Sequence, residues 1–184
     1  LRPSKAKRSF NNAMLLRDKG ISTPDPVAYI ECYRLGMIRE SMYIYLYSPV
    51  EHDMRKVLAD ENFPDRNRLL QDFARFTFLV HEKQVYHRDY SPGNILFEKK
   101  GEEYHFTLID INRIDFGEVD ARKKYKVFKR LFTSEATLAI IAREYARLGR
   151  EDEAMFAQKV IFYNSGYTLD KGLNKRLEKK VHIS

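Results

Sequence analysis

The spacing of apolar residues predicts a helix at the start of the chain. Residues 6–19 place apolar side chains three and four positions apart, and Gly20 follows where a helix C-terminus often needs a positive φ. Residues 22–26 contain two prolines, which cannot continue a helix. The pattern therefore predicts a first helix at 6–19 that ends before the proline segment.

Two pairs of strands are predicted from runs of β-branched and aromatic residues. Val27–Arg34 and Ser41–Tyr47 flank a turn at Leu35-Gly36, which is typical of an antiparallel pair. Ile95–Glu98 and Tyr104–Ile109 flank a polar turn that contains glycine, so we expect a second hairpin there.

The rest of the chain is predicted to be mainly helical. His52–Asp60 fits a short helix, and Arg66–His81 fits a longer one whose apolar stripe is typical of a core-facing surface. From Ala121 onward the spacing predicts three or four amphipathic helices, the last of them with Leu173 and Leu177 on its stripe. Strand pairs combined with a dominant helical half indicate an α+β fold.

The composition is that of a single domain without membrane spans. The chain has 184 residues, 43% of them hydrophobic, and its 12 Phe and 12 Tyr can build a core. One cysteine cannot form an internal disulfide, so we expect the cytoplasm rather than an oxidising compartment. No apolar run approaches the roughly 20 residues that cross a bilayer. A soluble or peripheral protein is therefore expected.

The net charge of +7 is concentrated in residues 2–8, 122–130 and 171–180. Such clusters attract polyanions, which include phosphorylated glycolipids, nucleotides, nucleic acid and anionic membrane surfaces. Ordinary solvated helix faces are the alternative. Because no RNA- or DNA-binding motif accompanies the clusters, we expect no nucleic-acid partner.

Residues 85–97 carry the most informative chemistry. Asp89 and Asn94 are five positions apart, and Pro92-Gly93 between them lets the loop turn back so that both side chains converge. One would accept a hydroxyl proton and the other would hold a metal, and phosphoryl transfer from Mg-ATP also requires a second acidic ligand. Asp110, directly after the second hairpin, is the candidate for that ligand. The alternative is a capped turn and an ordinary strand-terminal aspartate.

The two residues before Asp89 are also candidates for the catalytic loop. His87 and Arg88 precede Asp89 in a His-Arg-Asp sequence. We expect both to brace the loop by packing and hydrogen bonding, because the carboxylate already fills the role of proton acceptor. All three belong to the candidate catalytic set, with Asp89 as the base.

A literal Asp115-Phe116-Gly117 resembles the magnesium-binding motif of protein kinases. The metal-binding aspartate should emerge directly from the strand that pairs with the one after Asn94. Asp110 has that position, whereas Asp115 lies five residues farther along. Asp110 is therefore the preferred ligand and Asp115 the alternative.

Four segments form a specific combination when they are taken in order. They are Ser4–Phe10, Gly20–Glu31, His87–Asn94 and Leu108–Arg113. Together they resemble the lipopolysaccharide kinase (Kdo/WaaP) family of bacteria, and the resemblance covers most of the chain. It implies a protein-kinase-like fold, mostly the helical C-terminal lobe with the first helix and two strands of an incomplete N-terminal lobe. Residues 1–184 would form one kinase-like domain, with the N-lobe remnant and hinge at 1–48 and the C-lobe at 49–184.

The resemblance also implies roles for individual residues, with ATP and Mg²⁺ as cofactors. Asp89 looks like the catalytic base, and Asn94 and Asp110 look like Mg²⁺ ligands. The run Tyr43–Ser48 looks like the hinge strand that contacts adenine. The hinge residues chosen for nucleotide binding, together with Asn94, are Tyr45, Leu46 and Tyr47.

The implied substrate is a sugar hydroxyl of the lipopolysaccharide inner core, such as Kdo on lipid A. The basic clusters would then meet phosphates and carboxylates of the glycolipid at the anionic inner membrane face. A kinase of the same fold acting on another small molecule or on a protein is the second hypothesis, although Ser91 replaces the lysine that protein kinases usually carry there. A catalytically inactive nucleotide-binding module is the third.

The sequence departs from the kinase pattern at its start. No Gly-rich loop is present, Lys5 and Lys7 lie in or next to the predicted helix, and no acid precedes Asp18, so Asn11 would replace the helix glutamate. The polypeptide is interpreted as a fragment rather than a degenerate kinase, since it lacks an initial Met but keeps the candidate site residues. We expect weak or absent turnover from this chain alone.

Overall fold

The computed structural model describes residues 3–47, 49–50 and 52–165. The helices are α1 (Lys5–Asp18), α2 (Met54–Ala59), α3 (Arg66–Glu82), α4 (Ala121–Lys126), α5 (Glu135–Leu148) and α6 (residues 153–165). The strands are β1 (Pro26–Arg34), β2 (Met37–Tyr45), β3 (His52–Asp53), β4 (Val85–His87), β5 (Ile95–Lys100), β6 (Glu103–Leu108) and β7 (Ile114–Phe116). The mixed architecture confirms the predicted α+β class.

Helix α1 forms where the apolar spacing predicts it. The Ser4 side chain caps its N-terminus by accepting from the Lys7 amide, and Gly20 has φ +65° directly after its end. One face buries Ala13 and Leu16 in the core. Both Lys5 and Lys7 belong to this helix, as expected.

The hairpin β1–β2 confirms the first predicted strand pair. Leu35 and Gly36 both have positive φ, +52° and +75°, a turn geometry that matches the twist of paired strands. Because so short a turn lets pairing resume at once, β2 begins at Met37 rather than at Ser41, and it ends at Tyr45. The hairpin leaves several large apolar side chains exposed: Val27, Ile30, Tyr33, Leu35, Met37, Ile38, Met42 and Ile44.

The prediction of one helix over His52–Asp60 is wrong at its first two residues. His52 and Asp53 form β3, which pairs antiparallel with Phe97 and Leu96 of β5. The Asp53 carboxylate then accepts the amide hydrogen of Arg55 and starts α2 at Met54. The Asp53 cap starts the helix immediately after the strand, and a strand of two residues is too short to show a periodic pattern in the sequence.

The second hairpin, β5–β6, and helix α3 form the centre of the core. The predicted hairpin forms, with Ile95 opposite Leu108 and Gly101 at φ +62° in the turn, and its strands extend to Lys100 and back to Glu103. Phe73 of α3 stacks against Tyr90, which follows β4. The remaining pair, β4–β7, joins the candidate catalytic loop to the segment after β6.

The C-terminal helices confirm the predicted amphipathic stripes as far as the structure describes them. Leu138, Ile141 and Tyr145 of α5 are fully buried, and α5 packs along α3. The predicted stripe of Leu173 and Leu177 lies outside the described residues. None of the helices among the described residues combines the length and the hydrophobicity that a membrane span requires.

A histidine is buried between α3 and α5. His81 Nδ1 lies 2.8 Å from the Tyr145 hydroxyl, and the side chain is almost completely enclosed. Burial, with a smaller contribution from the charge of Lys124, lowers the pKa of His81 from 6.5 to about 3. The ring is therefore neutral in the folded protein at pH 7.

This buried ring should make stability fall with acid. The unfolded chain protonates His81 near pH 6.5 but the folded chain only near pH 3, so its contribution is complete above pH 6.5 and declines below it. Between pH 7 and pH 5 the decline is about 2 kcal/mol in the free energy of unfolding. We expect His81→Asn to lack this part of the pH dependence when urea unfolding is measured at each pH. His105→Asn, at an exposed histidine, is the control; equal slopes in all three proteins would contradict the assignment.

Candidate active site

The loop between β4 and β5 turns back on itself as predicted. The Ser91 amide donates to the Asp89 carbonyl at 2.8 Å, and the Asn94 amide donates to the Ser91 carbonyl at 2.9 Å. A 3-10 turn at Pro92–Asn94 begins with the proline, whose missing N–H costs nothing there. The Asn94 side-chain nitrogen donates to the Asp89 carbonyl at 2.9 Å, so Asp89 and Asn94 are joined directly.

His87 links this loop to the strand end that carries Asp110. Its Nδ1 accepts the Asp89 amide hydrogen at 3.1 Å, so Nε2 carries the ring proton and donates it to the Ile109 carbonyl at 3.1 Å. The side chain is buried, and burial lowers the pKa of His87, which keeps the ring neutral. This geometry agrees with the bracing role that we expected for His87.

Asp110 lies at a sharp bend after β6. Its φ is +50°, a conformation that aspartate adopts more readily than most residues. The Asn94 carbonyl accepts the amide hydrogen of Ile109 at 3.0 Å, which brings the end of β6 beside the loop. The Asp110 carboxylate accepts from Asn112 Nδ2 at 2.6 Å and lies 3.4 Å from Lys5 Nζ of α1.

The carboxylate of Asp89 contacts two arginines that the sequence analysis did not single out. Arg130 Nη1 lies 2.5 Å from Oδ1, and Arg113 Nη1 lies 3.8 Å from Oδ2. Arg113 was present in one of the four resembling segments and Arg130 in a basic cluster. Neither position carried a signal of its own that pointed to Asp89.

Arg88 and Asp115 form a surface ion pair, with Nε and Oδ2 2.8 Å apart. Asp115 lies in β7 opposite Tyr86, and the Arg88 amide donates to the Arg113 carbonyl at 2.9 Å. Arg88 therefore connects the loop to the β7 segment, as its expected bracing role requires. Asp115 contributes its carboxylate to that connection.

A cleft of about 470 Å³ lies between α1, the first hairpin and the end of β6. Lys5, Tyr43, Tyr45 and Asp110 are among its lining residues. Of the three hinge residues chosen for nucleotide binding, Tyr45 alone lines this cleft. Leu46 and Tyr47 are exposed, and the Leu46 amide donates to the Asp25 carbonyl.

Helix α1 contacts the segment after Asp110 through an asparagine. Asn12 Nδ2 donates to the Ile111 carbonyl at 2.7 Å. Asn11, the residue expected in place of the helix glutamate, is exposed. The structure therefore brings Asn12, and not Asn11, to the candidate site.

The oxygen atoms of Asn94 and Asp110 suit a magnesium ion. Mg²⁺ prefers carboxylate and amide oxygens and few protein ligands. Asn94 uses its side-chain nitrogen on Asp89, which orients the amide and leaves its oxygen for a metal. Lys5 beside Asp110 shows that this carboxylate already attracts a cation. In the described part of the chain no group of three or more His, Cys, Asp or Glu could hold a metal ion.

This arrangement of a small strand-and-helix lobe over a helical lobe, with a His-Arg-Asp loop and a second aspartate after a hairpin, defines a protein-kinase-like fold. A model of the lipopolysaccharide kinase (Kdo/WaaP) family matches residues 1–151. The chain therefore belongs to that family, which confirms the predicted family and its classification as a kinase.

The solved structure of WaaP supports this fold. WaaP, in a structure described as a complex with acyl carrier protein, superposes with a TM-score of 0.62 at 18% identity, covering 95% of this chain and 76% of that one. The Rio2 kinase of Chaetomium thermophilum, solved as an ADP/Mg²⁺-phosphoaspartate complex, gives a TM-score of 0.48 at 18% identity, covering 95% of this chain and 51% of that one. No curated protein matches the sequence.

His87 should matter far more to stability than its neighbour Arg88. His87→Leu leaves the Asp89 amide and the Ile109 carbonyl without their partner, which should cost about 2 to 4 kcal/mol in the free energy of unfolding. The matched change Arg88→Leu removes one surface ion pair and should cost less than about 1 kcal/mol. Urea unfolding measures both values. Equal losses would show that the His87 bridge does not stabilise the loop.

Proposed function

We propose that this protein is an ATP-dependent phosphotransferase whose acceptor is a sugar hydroxyl of the lipopolysaccharide inner core, of the Kdo-lipid A type. Family membership supports the reaction class. The observation that carries the proposal is the hydrogen-bonded bridge through His87, which holds the Asp89 loop against the strand end before Asp110. A base and a metal ligand on opposite sides of one short bridge suit phosphoryl transfer.

In this proposal Asp89 accepts the proton of the acceptor hydroxyl. The hydroxyl oxygen forms a bond to the γ-phosphorus of ATP, and the bond between that phosphorus and the ADP oxygen breaks. Asn94 and Asp110 would hold Mg²⁺, which neutralises charge on the transferring phosphoryl group when it is bound. His87 and Arg88 act by holding the loop and take no part in proton transfer.

The nucleotide is proposed to bind in the cleft between α1 and the first hairpin. Tyr45 lines that cleft, and Leu46 and Tyr47 continue the proposed hinge. Lys5 also lines this cleft and lies 3.4 Å from Asp110, where a cation would meet the phosphates. The basic clusters at 2–8 and 122–130 fit an anionic glycolipid at the cytoplasmic face of the inner membrane.

The three aspartates give a matched set of variants. In the complete gene product, Asp89→Asn and Asp110→Asn should each lower transfer of radiolabelled γ-phosphate from Mg-ATP to Kdo-lipid A by about 10²- to 10⁴-fold, the range for loss of a base or of charge stabilisation. Asp115→Asn is the control, because its carboxylate pairs with Arg88 at the surface. It should change transfer by less than about fivefold.

Three results would contradict this assignment. Unchanged transfer by Asp89→Asn would remove Asp89 as the base, and a larger loss from Asp115→Asn than from Asp110→Asn would reverse the metal assignment. Binding of Mg-ATP with no transfer to Kdo-lipid A by the unaltered protein would favour another acceptor or the inactive nucleotide-binding module.

A further inference from the structure

The charges around the proposed base do not balance. Arg130 and Arg113 both approach the Asp89 carboxylate, so two cations share one anion. Among the described residues no other carboxylate lies within ion-pair distance of either arginine. The guanidinium of Arg130 also has a buried Nε without a hydrogen-bond partner in the described part of the chain. The group formed by Asp89, Arg113 and Arg130 therefore has a net charge of +1 and one buried hydrogen-bond donor without an acceptor among the described residues.

Proton transfer would increase this imbalance. When Asp89 takes the hydroxyl proton it becomes neutral, and both arginines then lose the charge of their shared carboxylate. Separating charged donors from their acceptor in a partly buried position costs free energy unless another anion replaces it. An acceptor that brought its own carboxylate or phosphate would supply that anion as the base is protonated.

The other nearby cations are already paired. Arg88 bonds to Asp115, and Arg55 forms two hydrogen bonds to the Asp53 carboxylate. Arg113 and Arg130 instead share the carboxylate of the proposed base. These two side chains are therefore the available contacts for an incoming anion.

A second cleft lies between the catalytic loop and the residues that follow Arg130. It has a volume of about 530 Å³, and its walls include Ser91 and Asn94 of the loop together with Leu131 and Phe132. These last two residues directly follow Arg130 in the chain. An acceptor seated in this cleft would lie beside Asn94 of the catalytic loop and next to the segment that follows Arg130.

We propose that Arg130 and Arg113 recognise an anionic group of the acceptor next to the hydroxyl that is phosphorylated, and that they hold the Asp89 carboxylate when no acceptor is bound. The inference rests on the proposed phosphotransferase function and adds its specificity-determining residues. The acceptor anion replaces Asp89 at the arginines, and the released carboxylate takes the hydroxyl proton as the oxygen–phosphorus bond forms and ADP leaves. A carboxylate and a phosphate share this chemistry, and the experiment separates them.

The test compares acceptors that differ in one anionic group. In the first arm, Kdo-lipid A is compared with the same molecule whose Kdo carboxylate has been converted to a methyl ester. In the second arm, it is compared with Kdo-lipid A from which the lipid A phosphates have been removed. The unaltered gene product should prefer the charged acceptor in kcat/KM by about 10- to 100-fold in one arm, the effect of a charge-assisted hydrogen bond. That arm identifies the anion as the sugar carboxylate or the lipid phosphate.

Arg130→Gln and Arg113→Gln should reduce that preference, and Arg130→Lys should restore part of it because a cation returns without the second donor. Arg143→Gln, at an exposed arginine of α5, removes the same charge elsewhere and should keep the preference. A purely structural role would lower kcat/KM for both members of an acceptor pair equally and leave their ratio unchanged.

The outcomes separate this inference from the proposed function. Transfer by the unaltered protein at equal kcat/KM to charged and neutral acceptors in both arms would overturn the inference and leave the function standing. A preference that survives in Arg130→Gln and Arg113→Gln would also overturn it. Absence of transfer to every acceptor would overturn the proposed function, and the inference with it.

Discussion

The hydrogen bonds of the buried His87 ring hold the two sides of the candidate site together. One ring nitrogen accepts from the Asp89 amide and the other donates to the Ile109 carbonyl, and the two backbone groups belong to segments 20 residues apart. A neutral imidazole can serve both groups only as the Nε2–H tautomer, and burial maintains that neutral form. Together with the hydrogen bond from the Ile109 amide to the Asn94 carbonyl, this side chain sets the position of Asp89 relative to Asp110.

The ion pairs beside this hydrogen-bonded bridge differ in how readily a bound charge can replace one partner. Lys5 and Asp110 are substantially exposed, at 67% and 40% of their side-chain surfaces, and such an ion pair contributes little to stability. A bound cation can therefore replace Lys5 at Asp110 at small cost. Asp89 differs, because its side chain is only 20% exposed and contacts two arginines. If the Asp89 carboxylate leaves these arginines, an incoming anionic group must therefore take its place.

Features that depend on neighbouring residues could be predicted from the sequence. Helix α1, both hairpins and the return of the Asp89–Asn94 loop arise from local spacing and turn chemistry. Strand β3 could not be predicted, because two residues become a strand only when β5 lies beside them. The contact of Arg130 with Asp89 joins residues 41 positions apart, and periodicity carries no information on such a pair.

The same reasoning favours Asp110 over the literal Asp115-Phe116-Gly117 as the proposed metal ligand. A three-letter match says nothing about backbone direction, whereas a metal ligand needs a chain that bends toward the loop. Asp110 has that bend, with φ +50° and a neighbouring amide bonded to the Asn94 carbonyl. Asp115 lies within the extended strand β7 and pairs with Arg88. Position relative to the strand end, rather than the identity of the triplet, is therefore the argument for Asp110 as the ligand of the proposed magnesium site.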